Sequence, residues 1–430
     1  MHAKLFRMMA GAAILVTATT VDGQTIAITG GKVYVVNAAP IENGTVLIRD
    51  GKIIAVGTNV AVPNDATRID ASGKWVTPGF VDSNTQLGAV EIGAVGDTRD
   101  AGARGHDQIA AAFTVFEGLN PASQLIPAAR EDGITTVLVH PSNGFLAGQS
   151  AVVDLVSGNI SDMVTRSSAA MVADLTSPRG AGTDSRGEML LRLREILDDA
   201  RSYARRRADF ERAQTRPFAA SRLDLEALQP VLAGRLPLLT LVDKASDIQA
   251  ALKIARDFGV KLIIGGGAEA WMVADELAAA KVPVLTGAMN NIPSSFNTLG
   301  TRQENASLLR RAGVAVALIG NAGGGDEETF NVRNIRFEAG NAVAYGMSWD
   351  DALKAVTLAP AQIFGVADRL GSLEPGKVAN VVVWSGDPFE FATRAEHVIV
   401  HGREYHDVSR QDMLTQRYKT LPPNYESSAP

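Results

Sequence analysis

The chain has 430 residues, no cysteine, 46% hydrophobic and 20% charged residues, and a formal net charge of -6. That length can bury a large core and hold one large domain with a smaller one. The acidic balance argues against a nucleic-acid surface, which needs a basic face. The missing cysteines exclude disulfides, thiolate metal sites, a cysteine nucleophile and a lipid-modified N-terminal cysteine.

The first 23 residues read as a secretory signal. Lys4 and Arg7 precede an apolar run from Met8 to Val16, and small residues follow around Ala18 and Gly23. The run is short for a bilayer span. Cleavage after Ala18 or just before Gln24 would leave an exported chain, expected in a bacterial periplasm and with no membrane contact after signal removal. A buried N-terminal strand or helix is the competing reading.

Residues 24–75 read as short strands: Ile26–Thr29, Lys32–Val36, Thr45–Arg49, Lys52–Val56 and Trp75–Thr77. Gly30-Gly31, Asn43-Gly44, Asp50-Gly51 and Ser72-Gly73 separate them, and Asn-Gly and Asp-Gly are good hairpin turns. The stretch Val76 to Gly88 follows. Its apolar half ends in Asp82, Asn84 and Gln86, which alternate with Ser83 and Thr85. Alternation by two aims those three polar groups at one side of a strand end.

Strand and helix patterns then alternate. The predicted strands are Val76–Val81, Ile134–His140, Ser150–Leu155, Ala169–Leu175, Pro237–Val242, Lys261–Ile264, Pro283–Thr286 and Val314–Ile319. Asp247–Phe258 and Ala268–Ala280 repeat apolar residues at helical spacing. Eight such strands predict an α/β fold, a (β/α)8 TIM-like barrel over residues 76–365. An open doubly wound sheet competes, but no glycine-rich nucleotide loop follows the first strand. Residues 185–216 form an arginine-rich amphipathic helical segment, read as a solvated face with Asp198, Asp199, Asp209 and Glu211 as partners rather than an anion binder.

Strands return over residues 366–410. Gly371-Ser-Leu-Glu-Pro-Gly-Lys-Val-Ala-Asn-Val-Val-Val-Trp384 leads into a Gly-Asp-Pro turn at 386–388, and His397–His401 is another strand. With residues 24–75 they predict a composite β-sandwich built from both chain ends. Residues 411–430 read as an extended tail.

Thr77-Pro78-Gly79 with Asp82, taken together with the return from Gly371 to Trp384, resembles the amidohydrolase superfamily from about residue 25 to the C-terminus. There the first barrel strand reads Thr-Pro-Gly, two apolar residues, then Asp-x-His-x-His. The resemblance implies hydrolysis of C–N bonds other than peptide bonds, at a barrel rim that holds one or two divalent metals. This chain departs from the pattern at every ligand position. Asn84 and Gln86 replace the histidine pair. Where a lysine is expected after Gly148-Gln149, Asp154 follows Val153. The fifth-strand histidine falls on Leu241, the sixth near Gly266, and the eighth-strand aspartate on Asn321.

The sequence therefore predicts a catalytically degenerate member with a metal-free, cofactor-free mouth lined by Asn84, Gln86, His140, Gln149, Asp154 and Asn321. Its expected occupant is a small amide-like molecule or peptide fragment. Its expected protein partners are a second copy or an active relative. The alternative is an active hydrolase of small amides or dipeptide-like substrates with an unorthodox, zinc-dependent site, in which His140 and Asp154 hold one weak metal. Glu91, Asp97, Asp100, His106 and Asp107, and the run Asp326-Glu327-Glu328, read as solvated loop or helix-start residues. His397, His401 and His406 read as surface residues.

Overall fold

The computed structural model describes residues 24–419, apart from Arg104, His106, Asn290, residues 321–330 and Ser409. The predicted signal, His106, Asn321 and the 326–328 run lie outside the described residues.

The strands form two sheets of eight. The first is drawn from both chain ends: β1 (Thr25–Val33), β2 (Ile41–Arg49), β3 (Lys52–Gly57), β4 (Thr67–Asp70) and β5 (Trp75–Pro78) join the later strands β14 (Val381–Trp384), β15 (Ala395–Val400) and β16 (Arg403–Tyr405). Its order is β16-β15-β14-β5-β1-β2-β3, with β4 beside β1. Asp50 and Gly51 both take positive φ, 51° and 75°, as the two-residue turn between β2 and β3 requires. Asn43-Gly44 is not a turn. It sits inside β2 opposite Gly31, where the register shifts and a bulge absorbs the positive φ of Asn43. The two predicted strands on either side of Gly30 likewise merge into β1.

The second sheet is a nearly closed barrel: β6 (Phe80–Thr85), β7 (Ile134–Val139), β8 (Leu146–Asp154), β9 (Val164–Asp174), β10 (Leu238–Val242), β11 (Leu262–Gly266), β12 (Val284–Thr286) and β13 (Val316–Leu318). All neighbours are parallel except β8, which runs antiparallel to β7 and β9. This corrects the expectation of eight parallel β/α units. The chain turns back through residues 140–145, too short a link for the dozen or more residues that a parallel crossover needs.

The barrel is filled rather than hollow. Val81, Leu138, Ala147, Val152, Val172, Leu239, Ile263, Leu285 and Ala317 meet in its interior, and Phe364 and Leu370 close it below. Outside, helices cover the strands with apolar faces. In helix Arg186–Arg205, Met189, Leu193, Ile196, Leu197, Ala200 and Tyr203 are buried, a spacing that makes one stripe. The Ser185 hydroxyl caps it by accepting the Glu188 N–H at 3.2 Å. The predicted solvated segment breaks into this helix and Arg207–Glu211, and its arginines pair with Asp209, Glu211 and the buried Asp199. The predicted tail begins as helix Arg410–Tyr418.

Trp384 fixes the terminal sheet onto the barrel. It is fully buried, stacks on Phe80 at 5.0 Å between ring centres, and donates its indole N–H to the Thr77 hydroxyl at 2.9 Å. Gly133, ahead of β7, lies against this ring with φ +79°; a Cβ there would stand 2.2 Å from Trp384 Cη2.

Candidate functional site

The seven parallel strands all point their C-terminal ends at one face, where a barrel of this type carries its site. The end of β6 supplies the first polar groups. Asp82 is fully buried and accepts backbone N–H groups from Asn84 and Gly320, both at 2.9 Å. The second of these bonds spans the seam between β13 and β6. Gly320 must be glycine-sized, because a Cβ would fall 2.3 Å from the Asp82 carboxylate. Burial pushes the Asp82 carboxyl up from 3.8 to about 8, against the opposing pull of the two N–H donors. Asp82 is thus a seam residue held mostly protonated near neutrality.

Gln86 and His140 do converge. Both are almost fully buried and both line a cavity of about 200 Å³ at the mouth, with Arg99, Asn143, Asp174 and Leu241 among its other walls. The His140 N–H of the main chain donates to the Thr85 carbonyl at 3.0 Å, and its ring Nδ1 lies 3.1 Å from the Pro141 carbonyl. Asn84 is half-buried beside this cavity's strand but is not among its lining residues.

Gln149 and Asp154 do not join them. The Gln149 amide donates to the Ala111 carbonyl at 3.2 Å and accepts the Ser168 hydroxyl at 2.5 Å. Asp154 is carried to the opposite end of the barrel by the reversed direction of β8. It pairs in register with Thr136, four residues before His140, roughly 13 Å along the strand. There its carboxylate accepts from Thr136 (2.5 Å), Thr165 (2.7 Å) and Asn380 (3.2 Å) and lies 2.7 Å from His401 Nε2. The side-chain amide oxygen of Asn380 in turn accepts the His401 main-chain N–H at 3.0 Å. Asp154 is a floor residue tying barrel to terminal sheet, so the expected His140–Asp154 metal pair does not exist. His401 is correspondingly a half-buried residue tied to this floor. His397 pairs with Glu404 at 2.6 Å and His406 with the same carboxylate at 3.3 Å.

Three mouth carboxylates escaped the sequence reading. Asp174 ends β9 and accepts the Thr176 N–H and hydroxyl at 2.8 and 2.6 Å. Asp243 follows β10 directly, and burial raises its pKa, with the Asp174 and Glu269 charges adding to the rise. Glu269 spans two loops, accepting N–H groups from Ala245 (3.0 Å) and Gly300 (3.1 Å). A usable signal existed: Asp174 is the next-to-last residue of the predicted strand Ala169–Leu175 and Asp243 directly follows Pro237–Val242, the rim position in a barrel.

The donor set does not fit the metal that the family resemblance implies. Asn84 and Gln86 offer neutral amides, Leu241 an aliphatic wall, and Gly266 no side chain at all. Zn²⁺ favours imidazole, thiolate and carboxylate ligands. Among the described residues no group of three or more histidines, aspartates and glutamates is placed to hold an ion.

The profile of the amidohydrolase family matches residues 240–405. The chain is 27% identical over 373 residues to an imidazolonepropionase of Methylobacterium sp., covering 80% of this chain and 88% of that one. It is 23% identical over 377 residues to the amidohydrolase tasK of Hapsidospora irregularis, 80% of this chain but 38% of that protein's length. The crystal structure of an amidohydrolase from Thermotoga maritima superposes with a TM-score of 0.80 at 28% identity, over 89% of this chain and all of the other. Barrel, two-ended sheet, family profile and full-length structural match agree: the chain belongs to the amidohydrolase superfamily.

Proposed function

We propose that this chain is a catalytically degenerate amidohydrolase whose barrel mouth binds a small polar molecule instead of building a hydrolytic metal centre. The observation that carries the reading is the replacement of ligands by non-ligands at rim positions where the backbone itself is retained. Without a divalent ion at the rim, nothing there lowers the pKa of water toward 7. What remains is recognition chemistry. The Gln86 and Asn143 amides can each donate and accept, the Asp174 carboxylate accepts, and the Arg99 guanidinium suits a carboxylate or carbonyl. A cavity of about 200 Å³ admits an amide the size of an amino-acid derivative. Export through the predicted signal, a composite sandwich formed by the two-ended sheet, and self-association or pairing with an active relative belong to the same proposal.

The test combines elemental analysis with a ligand screen. The mature protein is dialysed with zinc, manganese and calcium offered in turn, then assayed by thermal shift against amino-acid amides and dipeptides. The reading expects less than about a tenth of a metal per chain, together with saturable stabilisation by one ligand class that Gln86→Ala abolishes. Near-stoichiometric zinc with turnover of an amide would sink it.

A further inference from the structure

A larger cavity, of about 700 Å³, lies at the other end of the barrel, beneath the N-terminal ends of β9 to β12. Its floor is apolar, made by Leu262 and Ile263 at the start of β11, Val282 and Pro283 ahead of β12, and Phe364. Its walls carry five cations, Arg166, Arg235, Arg256, Lys261 and Lys281, and no carboxylate. Among the described residues none of the five is ion-paired. Arg166 donates to the Ser168 and Phe364 carbonyls at 3.1 and 2.7 Å. The neighbouring Asp257 is taken by Arg194 at 2.6 Å and Lys253 at 3.2 Å.

Part of this charge has a structural account. Arg256 lies in the last turn of helix Ala245–Phe258 and Lys281 caps helix Ala274–Ala280, where cations offset the negative helix end. Arg235 and Lys261 have no such role. Both are exposed in the segments entering β10 and β11. Five like charges round one bowl repel each other; solvent screens the four that are exposed, and a bound anion would relieve the repulsion further.

We propose that this bowl binds a small organic polyanion, with an aromatic or apolar body on the floor and two or more adjacent anionic groups against the wall. The floor alone would accept neutral molecules and the walls alone any inorganic anion; both together select an anion with an apolar body. The site is separate from the mouth, and the proposal does not depend on what the mouth binds.

Isothermal titration of the full chain with ATP, inorganic triphosphate and adenosine as probes tests this. ATP is expected to saturate, to bind more tightly than triphosphate, and to weaken as salt rises; adenosine is expected not to bind. The double variant Arg235→Gln/Lys261→Gln should lose about tenfold in ATP affinity. Lys281→Gly should also weaken binding, and it keeps the fold because Lys281 already has φ 54°, which glycine adopts freely. Gln86→Ala, at the opposite mouth, should leave ATP binding unchanged. The proposal is overturned by triphosphate binding as tightly as ATP, by a double variant that binds like the parent, by loss of binding in Gln86→Ala, or by no saturation at all.

Discussion

Asp82→Asn separates a seam carboxyl that is protonated from one that is charged. With a folded-state pKa of about 8 against an ordinary 3.8, Asp82 binds its proton more tightly in the folded chain. Its contribution is therefore fully present below pH 3.8 and is lost as pH rises toward 8, at about 1.4 kcal/mol per pH unit. Asparagine has the same shape but turns one amide N–H group toward a main-chain N–H, of Asn84 or Gly320, and leaves that donor unmatched at a cost of about 2 kcal/mol. The variant should trail the parent by that amount only below about pH 3.8, and by about 0.4 kcal/mol at pH 5. The gap should close by about 1.4 kcal/mol per unit and reverse between about pH 5 and 6. Urea unfolding of both proteins at pH 5, 6, 7 and 8 measures this, and every other titrating group cancels in the difference. A gap that stays constant or widens with pH would mean that the two N–H donors outweigh burial and keep Asp82 ionised.

Asp154→Ala should cost about 3–5 kcal/mol, because it strands four polar partners at the barrel floor, yet leave ligand affinity at the mouth unchanged; a loss of mouth binding at full stability would contradict the placement of Asp154. Gly133→Ala should cost roughly 3 kcal/mol, since the new methyl meets the Trp384 ring and the backbone has positive φ. A shifted Trp emission would report the displaced ring. Arg130, itself almost fully buried, forms a two-pronged pair with the partly exposed Asp407, at 2.7 Å for each contact. Arg130→Ala should cost about 3 kcal/mol in urea unfolding, and Arg130→Lys should recover less than half of it because an ammonium cannot make both contacts.

The positions of the strands were legible because each is an apolar run bounded by turn residues. Their directions were not, since a run reads the same whichever way it points. Yet residues 141–149, between the second and third predicted strands, were too few for a crossover helix, and that shortness was the available sign that β8 reverses. The misplacement of Asp154 follows from that one inversion. Gln86 and His140 were found because both follow strands whose direction was right. Asp174 and Asp243 stand alone in sequence, with no motif, and only their rim position distinguishes them. Asn43-Gly44 shows the same limit: the dipeptide signals positive φ, which a bulge uses as readily as a hairpin.

The inverted strand also bears on how the chain reaches its fold. Pairing β7 with β8 and β8 with β9 requires closing only the links 140–145 and 155–163. Pairing β10 with β11 must wait for helix Ala245–Phe258 to cross over. Loop closure costs less for near neighbours, and local pairings speed folding. Residues 134–174 therefore form a meander that can assemble on contacts within itself, offering exposed edges of β7 and β9 on which the flanking parallel strands can then be laid.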